Sequence, residues 1–350
     1  MKRKLKPAAI TAISALMLTS CGEGAESSSH PEDASSAAVT TVSTTTTAVT
    51  TGTSETVTTA VTASPEEIRP SKPGLTAELF RGVGKGVEVT VDEDRIVETA
   101  MVGEQSFSLV IDISKWENNT APKDMVQLSR LFWQSYPRMY ARFGELTEAP
   151  YDVIIAVENS GNEGAETSGN LIHLHDMWLA RHPGDYDCIT RELGRIVQNS
   201  SSWEEGNLEY ASYTDLFADL CRFEYSLDDG SYNDSVWTLQ TVEAQSTRET
   251  SVRFLVWLDC MYSDYKNGID LMARFCDICY SGSYSSGQWN EAWQEIFLGT
   301  PLEGKNVSEV WELYAGSDFA VLDSQAEKGK TSELLAKYDI RGRLKSSKKE

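Results

Sequence analysis

The stretch "ITRELGRIVQ", residues 189–198, sits at the centre of the chain's most regular helical pattern. Ile189, Leu193, Ile196 and Val197 recur at intervals of three and four residues, so the segment 185–199 reads as a helix with one apolar stripe. Arg191, Glu192 and Arg195 lie off that stripe, with the two arginines one helical turn apart. The next helical pattern, 213–225, is built the same way. Leu216, Phe217, Leu220 and Cys221 form its apolar stripe, and Asp215, Asp219 and Arg222 line up opposite at i, i+4 and i+7. Two successive helices thus carry stripes of opposite charge.

Outward from this pair, the N-terminal side alternates like strands. "FSLVIDI" (107–113) places Phe107, Leu109, Ile111 and Ile113 on one face, and "YDVIIAVE" (151–158) is a short β-branched run expected to be a buried strand. "GNLIHLH" (169–175) is a third strand, with Leu171, His173 and His175 on one face. Between the first two, "DMVQLSRLFWQSYPRMYARFG" has helical spacing, with Pro137 expected to kink it. Arg142 near its end serves as a surface comparator if its side chain is exposed. On the C-terminal side, helices are expected at 247–262, 267–280, 289–297 and 306–315, the last opening on a capping box formed by Asn306 and Glu309. "GVGKG" (82–86) lacks phosphate-loop spacing and reads as a turn between strands. Strands with one early helix, then a run of helices, predict an α+β domain over residues 75–318.

The first seventy residues differ in kind. "MKRKLKPAAITAISALMLTSC" has a basic start and an apolar stretch at 8–18 that is short for a membrane span. It ends "LTSC", which resembles the lipobox of bacterial lipoproteins. That resemblance makes residues 1–20 a signal peptide and Cys21 a lipid-bearing mature N-terminus, on the extracytoplasmic face of a bacterial cell membrane. Residues 21–70 are rich in Ser and Thr and poor in large apolar groups, so they are expected to form a disordered tether. As a coil it would span roughly 35–42 Å. Residues 319–350 end in "RGRLKSSKKE" and read as a polar, locally basic, solvated tail.

Net charge is −22, and the leader removes four of the positive charges, so nucleic acid and anionic lipid are disfavoured as direct partners. Of six cysteines, Cys188, Cys221, Cys260, Cys276 and Cys279 lie in apolar-periodic segments, and their odd number argues against a fully paired disulfide framework. Cys276 and Cys279 form C-x-x-C within a helix, with no second pair or nearby His to complete a zinc site, and are expected to pack in the core. The nine Trp and fourteen Tyr are expected to pack mostly in the core, with some left to line a binding surface.

Several blocks in order carry a further resemblance: "LSRLFWQSYPRMYARFG", "TSGNLIHLHDMWLARHPGDYDCITRELGRIVQ", "TDLFADLCRFEY", "SVRFLVWLDCMY" and "VSEVWELYAG". From about residue 90 to 316 the chain resembles the plant basic secretory protein family, whose bacterial members are classed as zinc metallopeptidases. The resemblance implies a metallopeptidase-like domain: a small mixed sheet, then a mostly helical half. It aligns "RELGR" with the family's H-E-x-x-H and "TDLFADLCR" with T-E-G-x-A-D-Y-x-R. Ala218, Asp219 and Arg222 match as they stand. Both zinc-binding histidines are replaced, by Arg191 and Arg195, and Asp215 and Leu216 stand where the family has Glu and Gly.

A zinc site of this kind uses two neutral imidazoles at i and i+4, with the intervening glutamate as general base. Guanidinium has five donors and no acceptor, so it cannot ligate the ion. The expected cofactor is therefore none, and Glu192 is a relic base. Arg191, Glu192, Arg195, Asp215 and Asp219 form the expected pseudo-active site. The arginines either neutralise the carboxylates that zinc leaves behind or project into water. His173 and His175 have a His-x-His ligand spacing and offer a replacement metal pair; the competing reading is that they hydrogen-bond nearby carboxylates. The function implied is a lipid-anchored module binding peptide, protein or glycan. The alternatives are an active hydrolase with a non-standard site, and a solute-binding lipoprotein, which would need more strand–helix alternation than this chain has.

Overall fold

The structure is a computed structural model that describes residues 74–159, 164–199, 208–226, 248–285, 287–317 and 319–320, without the side chains of 208–211 and 248–250. The leader, Cys21, the tether and the tail beyond residue 320 lie outside the described residues.

Six strands form one mixed sheet: β1 (Glu88–Val91), β2 (Arg95–Val102), β3 (Gln105–Asp112), β4 (Asp152–Glu158), β5 (Ala165–Ser168) and β6 (Leu171–His175), in the order β1-β2-β3-β4-β6-β5. β1, β2 and β3 form an antiparallel meander. β3, β4 and β6 run parallel, and β5 returns antiparallel beside β6. The parallel β3–β4 step is made through α1 (Pro122–Met139), as such steps require a crossover. After α2 (Trp178–Arg181) the chain is helical: α3 (Asp187–Gln198), α4 (Leu208–Tyr225), α5 (Arg248–Tyr262), α6 (Leu271–Ser281), α7 (Trp289–Ile296) and α8 (Val307–Ala315). This is the α+β class expected.

Register shows which sheet face is covered. Ile96 pairs with Ile111, Ile111 with Ile155 and Ile155 with Ile172, and directly opposed residues share a face. All four are fully buried. On that face α1 reaches Glu98 and α3 reaches Thr167. The opposite row, Val97, Val110, Ile154, Ala156 and His173, is only half-buried. β4 is therefore not buried on both sides as its apolar run suggests: Val153, Ile155 and Val157 face the helices and the alternate residues do not.

β1, β2 and β5 were not expected. β1 and β5 have four residues each, too few for a pattern. In β2 the inward row is Ile96, Glu98, Ala100, and a glutamate at the centre breaks the alternation. Its burial is possible because Ser129 Oγ donates to one carboxylate oxygen and Trp133 Nε1 to the other, at 2.6 Å for the latter. Burial nevertheless pushes this carboxyl upward from the usual range, and the two hydrogen bonds oppose the shift. "GVGKG" is a turn, but it follows a 3₁₀ turn (Ala77–Phe80) and leads into β1, so it does not join two strands.

Other expectations need adjustment at their ends. Helix α1 runs through Pro137 and then widens into a π turn at Tyr140–Gly144. The helix expected at 267–280 starts at Leu271, because Gly268 takes a left-handed conformation (φ 74°) and Asp270 caps the first turn, accepting from the Ala273 N–H at 2.9 Å. Asn306 and Glu309 form the expected capping box, with bonds of 2.9 and 3.0 Å. Phe319 and Ala320, assigned to the polar tail, are buried, and Arg253 Nη1 donates to the Phe319 carbonyl at 3.4 Å. All five described cysteines are free and buried. Burial raises the thiols of Cys188, Cys221, Cys276 and Cys279, so they pack as small apolar groups. Stacked Tyr213 and Trp289, with centroids 3.6 Å apart, join Phe275 and Trp293 in the helical core.

Helices α3 and α4 pack tightly at Gly194. A methyl group there would sit 2.7 Å from Cys221 Cβ and 3.3 Å from Ala218 Cα. The backbone must move apart to admit it, so Gly194→Ala is expected to cost about 1–3 kcal/mol of stability despite alanine's better helix propensity. Chemical denaturation measures this; an unchanged or raised midpoint would show that the helices tolerate separation.

Candidate functional site

The close approach at Gly194 brings the charged stripes of α3 and α4 together. Arg191 lies at the centre. Its Nε donates to Asp219 Oδ1 at 2.9 Å, its Nη1 to Glu192 Oε1 at 2.9 Å, and its Nη2 lies 3.3 Å from Asp215 Oδ1. Arg195 Nη2 donates to the same Asp215 oxygen, and its Nε lies 3.5 Å from Glu192 Oε2. Thr167 of β5 completes the cluster by donating to Glu192 Oε2 at 2.6 Å. Asp215 and Asp219 are one turn apart on α4, which is the spacing that lets both reach one guanidinium.

The cluster has an inner and an outer end. Glu192 and Asp219 are buried, with side chains 4% and 3% exposed, and Arg191 is 18% exposed. Arg195 and Asp215 form the rim, at 33% and 26%. Two cations meet three carboxylates, leaving the cluster one negative charge. Asp219, read from sequence as part of a polar stripe opposite the core, is therefore buried too, and faces arginine instead of water.

This geometry bears on the chemistry. A general base needs a free lone pair facing the water it activates. Both Glu192 oxygens are engaged by donors, and the carboxylate is withdrawn from solvent. Among the described residues no group of three or more His, Cys, Asp or Glu is arranged to hold a metal ion.

His173 and His175 do not join the cluster. Thr167 is directly opposite Ile172 in the register and faces α3, so His173, next along β6, points to the other face of the sheet. There its Nδ1 lies 2.6 Å from Glu158 Oε1, and Lys115 Nζ donates to Glu158 Oε2 at 2.7 Å. His175 Nδ1 accepts from the Met177 N–H at 3.1 Å. One imidazole is thus paired with a carboxylate and the other with backbone. Arg222 donates to Asp185 Oδ1 at 3.0 Å, while Trp178 Nε1 donates to Asp185 Oδ2 at 3.1 Å.

Two further polar centres were not legible. Asp176, buried, accepts from the backbone N–H groups of Glu117, Asn119 and Thr120 at 3.0, 3.2 and 2.7 Å and from Asn119 Nδ2 at 3.0 Å. It pins the segment after β3 against the end of β6. Arg142 is no surface comparator: its side chain is 11% exposed and meets Glu224, Asp259 and Asp270. The capping position of Asp270 was the one available signal, and it says nothing about Arg142.

What the fold and cluster define is an α+β domain with two guanidiniums and three carboxylates clustered between two helices. The chain matches no protein-family profile, no curated protein and no solved structure.

Arg191→Ala should leave Glu192 and Asp219 buried with one charge partner lost, and is expected to destabilise the domain by about 3 kcal/mol. Arg195→Ala, at the solvated rim, is expected to cost about 1 kcal/mol or less. Adding Asp219→Ala to Arg191→Ala should recover part of the larger loss. Denaturant titration of the three variants checks the order; equal effects at 191 and 195 would mean that the inner end is hydrated.

Proposed function

We propose that the chain is a binding module on a peptidase-like scaffold. In this reading two guanidinium groups stand where the resemblance to the basic secretory protein family puts zinc. Lipid on Cys21 holds the module at the extracytoplasmic face of a bacterial membrane. The observation carrying the proposal is the Arg191 guanidinium, which meets Glu192, Asp215 and Asp219 at once. Those carboxylates include the positions aligned with the family's general base and its second motif. Arginine neutralises them without ligating metal, so the scaffold keeps its charge balance and loses its Lewis acid.

The ligand is a peptide, protein or glycan segment lying over the rim formed by Arg195 and Asp215. The cluster's residual negative charge and the chain's net −22 favour cationic segments. The full chain incubated with peptides of equal length and graded charge should retain the cationic ones, less so at high salt, and return them uncleaved with or without chelator. Cleavage abolished by chelator, with one zinc per chain after dialysis, would identify a working hydrolase instead. Absence of binding across the series would remove the module reading.

Anchoring is tested separately. Cys21→Ala is expected to abolish lipid labelling and release the protein from membranes or leave it as precursor. Persistence of a lipid-modified, membrane-bound form would rule out Cys21 as the anchor.

A further inference from the structure

Arg142 lies in the π turn that ends α1, and four elements converge on it. Its Nε and Nη2 donate to the two oxygens of Asp270 at 2.8 Å each, Nη2 also reaches Asp259 Oδ1 at 2.9 Å, and Nη1 donates to Glu224 Oε2 at 3.0 Å. Tyr265 OH accepts from Nη2 at 2.8 Å and lies 2.7 and 2.8 Å from the Asp259 oxygens. The guanidinium carbon is 4.9 Å from the Phe143 ring centroid and 5.4 Å from that of Tyr265. One guanidinium therefore meets three carboxylates, from α4, α5 and the cap of α6, the first two buried and the third partly so. With every acid ionised, three negative charges would outnumber the cations Arg142 and Arg138 at a site largely withdrawn from water.

The hydrogen bonds identify which acid gives way. Asp270 accepts two bonds from Arg142 and one from the Ala273 N–H. Asp259 accepts from Arg142, Ser263 Oγ and Tyr265 OH. Glu224 accepts a single bond, on one oxygen, among the described residues. The acid with the fewest donors is the one that best tolerates protonation.

We propose that this cluster is a proton-dependent clamp: a proton on Glu224 lets α4, α5, the cap of α6 and the π turn close on Arg142, and loss of that proton at alkaline pH loosens the closure. The groups facing Glu224 are Arg142 and Arg138, which favour its ionised form, and Asp259 and Asp270, which oppose it. Tyr225, Tyr265 and Cys221 also abut, and burial raises all three, so they stay neutral. Burial first, then the two aspartates, push the Glu224 carboxyl up to about 8 from 4.5. The folded value lies above the unfolded one, so the contribution to stability is full below the unfolded value and is lost as pH rises through about 8. The clamp is independent of any reading of the Arg191 cleft, although α4 carries acids of both clusters.

The test compares the full chain with Glu224→Gln by denaturant unfolding from pH 6 to 9.5, together with hydrogen exchange corrected for intrinsic rates. Gln keeps an acceptor for Arg142 Nη1 and carries no charge. The wild-type unfolding constant is expected to rise about tenfold or more across this window relative to Glu224→Gln. The carboxyls of Glu98 and Asp277, also raised by burial, contribute to both proteins and cancel. Loss of amide protection at high pH should concentrate in 259–273 and the π turn. If Glu224→Gln does not fold, Asp259→Asn takes its place: with one neighbouring negative charge fewer the Glu224 carboxyl comes down, so the loss should move to lower pH and shrink. Parallel pH profiles for wild type and variant, or protection lost evenly over sheet and helices, would overturn the clamp.

Discussion

The packing of α3 on α4 at Gly194 is the constraint from which the rest of the helical half follows. A residue with no side chain at the crossing lets Cys221 and Ala218 come against the α3 backbone. At that separation, side chains one turn away must share the same volume. Arg191 and Asp219 share it productively, because a planar guanidinium directs donors to several carboxylates at once. Ile189, Leu193, Ile196 and Val197, buried on α3, provide the apolar burial that favours the approach. The ion pairs add specificity of rotation and register, since a buried pair broken on one side is costlier than one never formed.

The sheet supports this pair from one side only. Its inward row, from Ile96 across to Ile172, packs against α1 and α3, while the outward row carries Glu158 and His173, joined by Lys115 from the segment after β3 and separate from the Arg191 cluster. A side chain on the outward face is separated from Glu192 by the whole sheet. Thr167 of β5, opposite Ile172, is on the inward face and so reaches the Glu192 carboxylate. A one-residue step along a strand thus decides whether a side chain can reach the Arg191 cluster.

Arginine serves two separate acid clusters in this strongly acidic protein. In one, two guanidiniums face three carboxylates, with a buried inner end and a partly solvated rim. In the other, one guanidinium faces three in a nearly dry site. The first has nearly as many cations as carboxylates and opens to water at Arg195 and Asp215, whereas the second crowds three carboxylates on one guanidinium. Both draw acids from α4, which supplies Asp215 and Asp219 to one and Glu224 to the other. An eighteen-residue helix with charges directed to two ends of its neighbours cannot rotate or slide without breaking one set.

Where the structural cause is local, the sequence by itself determined it. The alternation Phe107, Leu109, Ile111 is β3, the stripe of 185–199 is α3, and the Asn306–Glu309 box is the start of α8, because each depends on neighbours within a few residues. The charged stripes carrying Arg191, Arg195, Asp215 and Asp219 were legible for the same reason. Tertiary structure alone decided which of those residues meet, and gave Arg191 the central place over Arg195, because depth within the crossing depends on Gly194 against Cys221. It alone turned Glu98 into a core residue, since the donors that make its burial tolerable, Ser129 and Trp133, come from a helix some thirty positions away. It alone made Arg142 a buried hub, because Glu224, Asp259 and Asp270 lie from 82 to 128 residues away in the chain, and no local pattern records a contact over that distance.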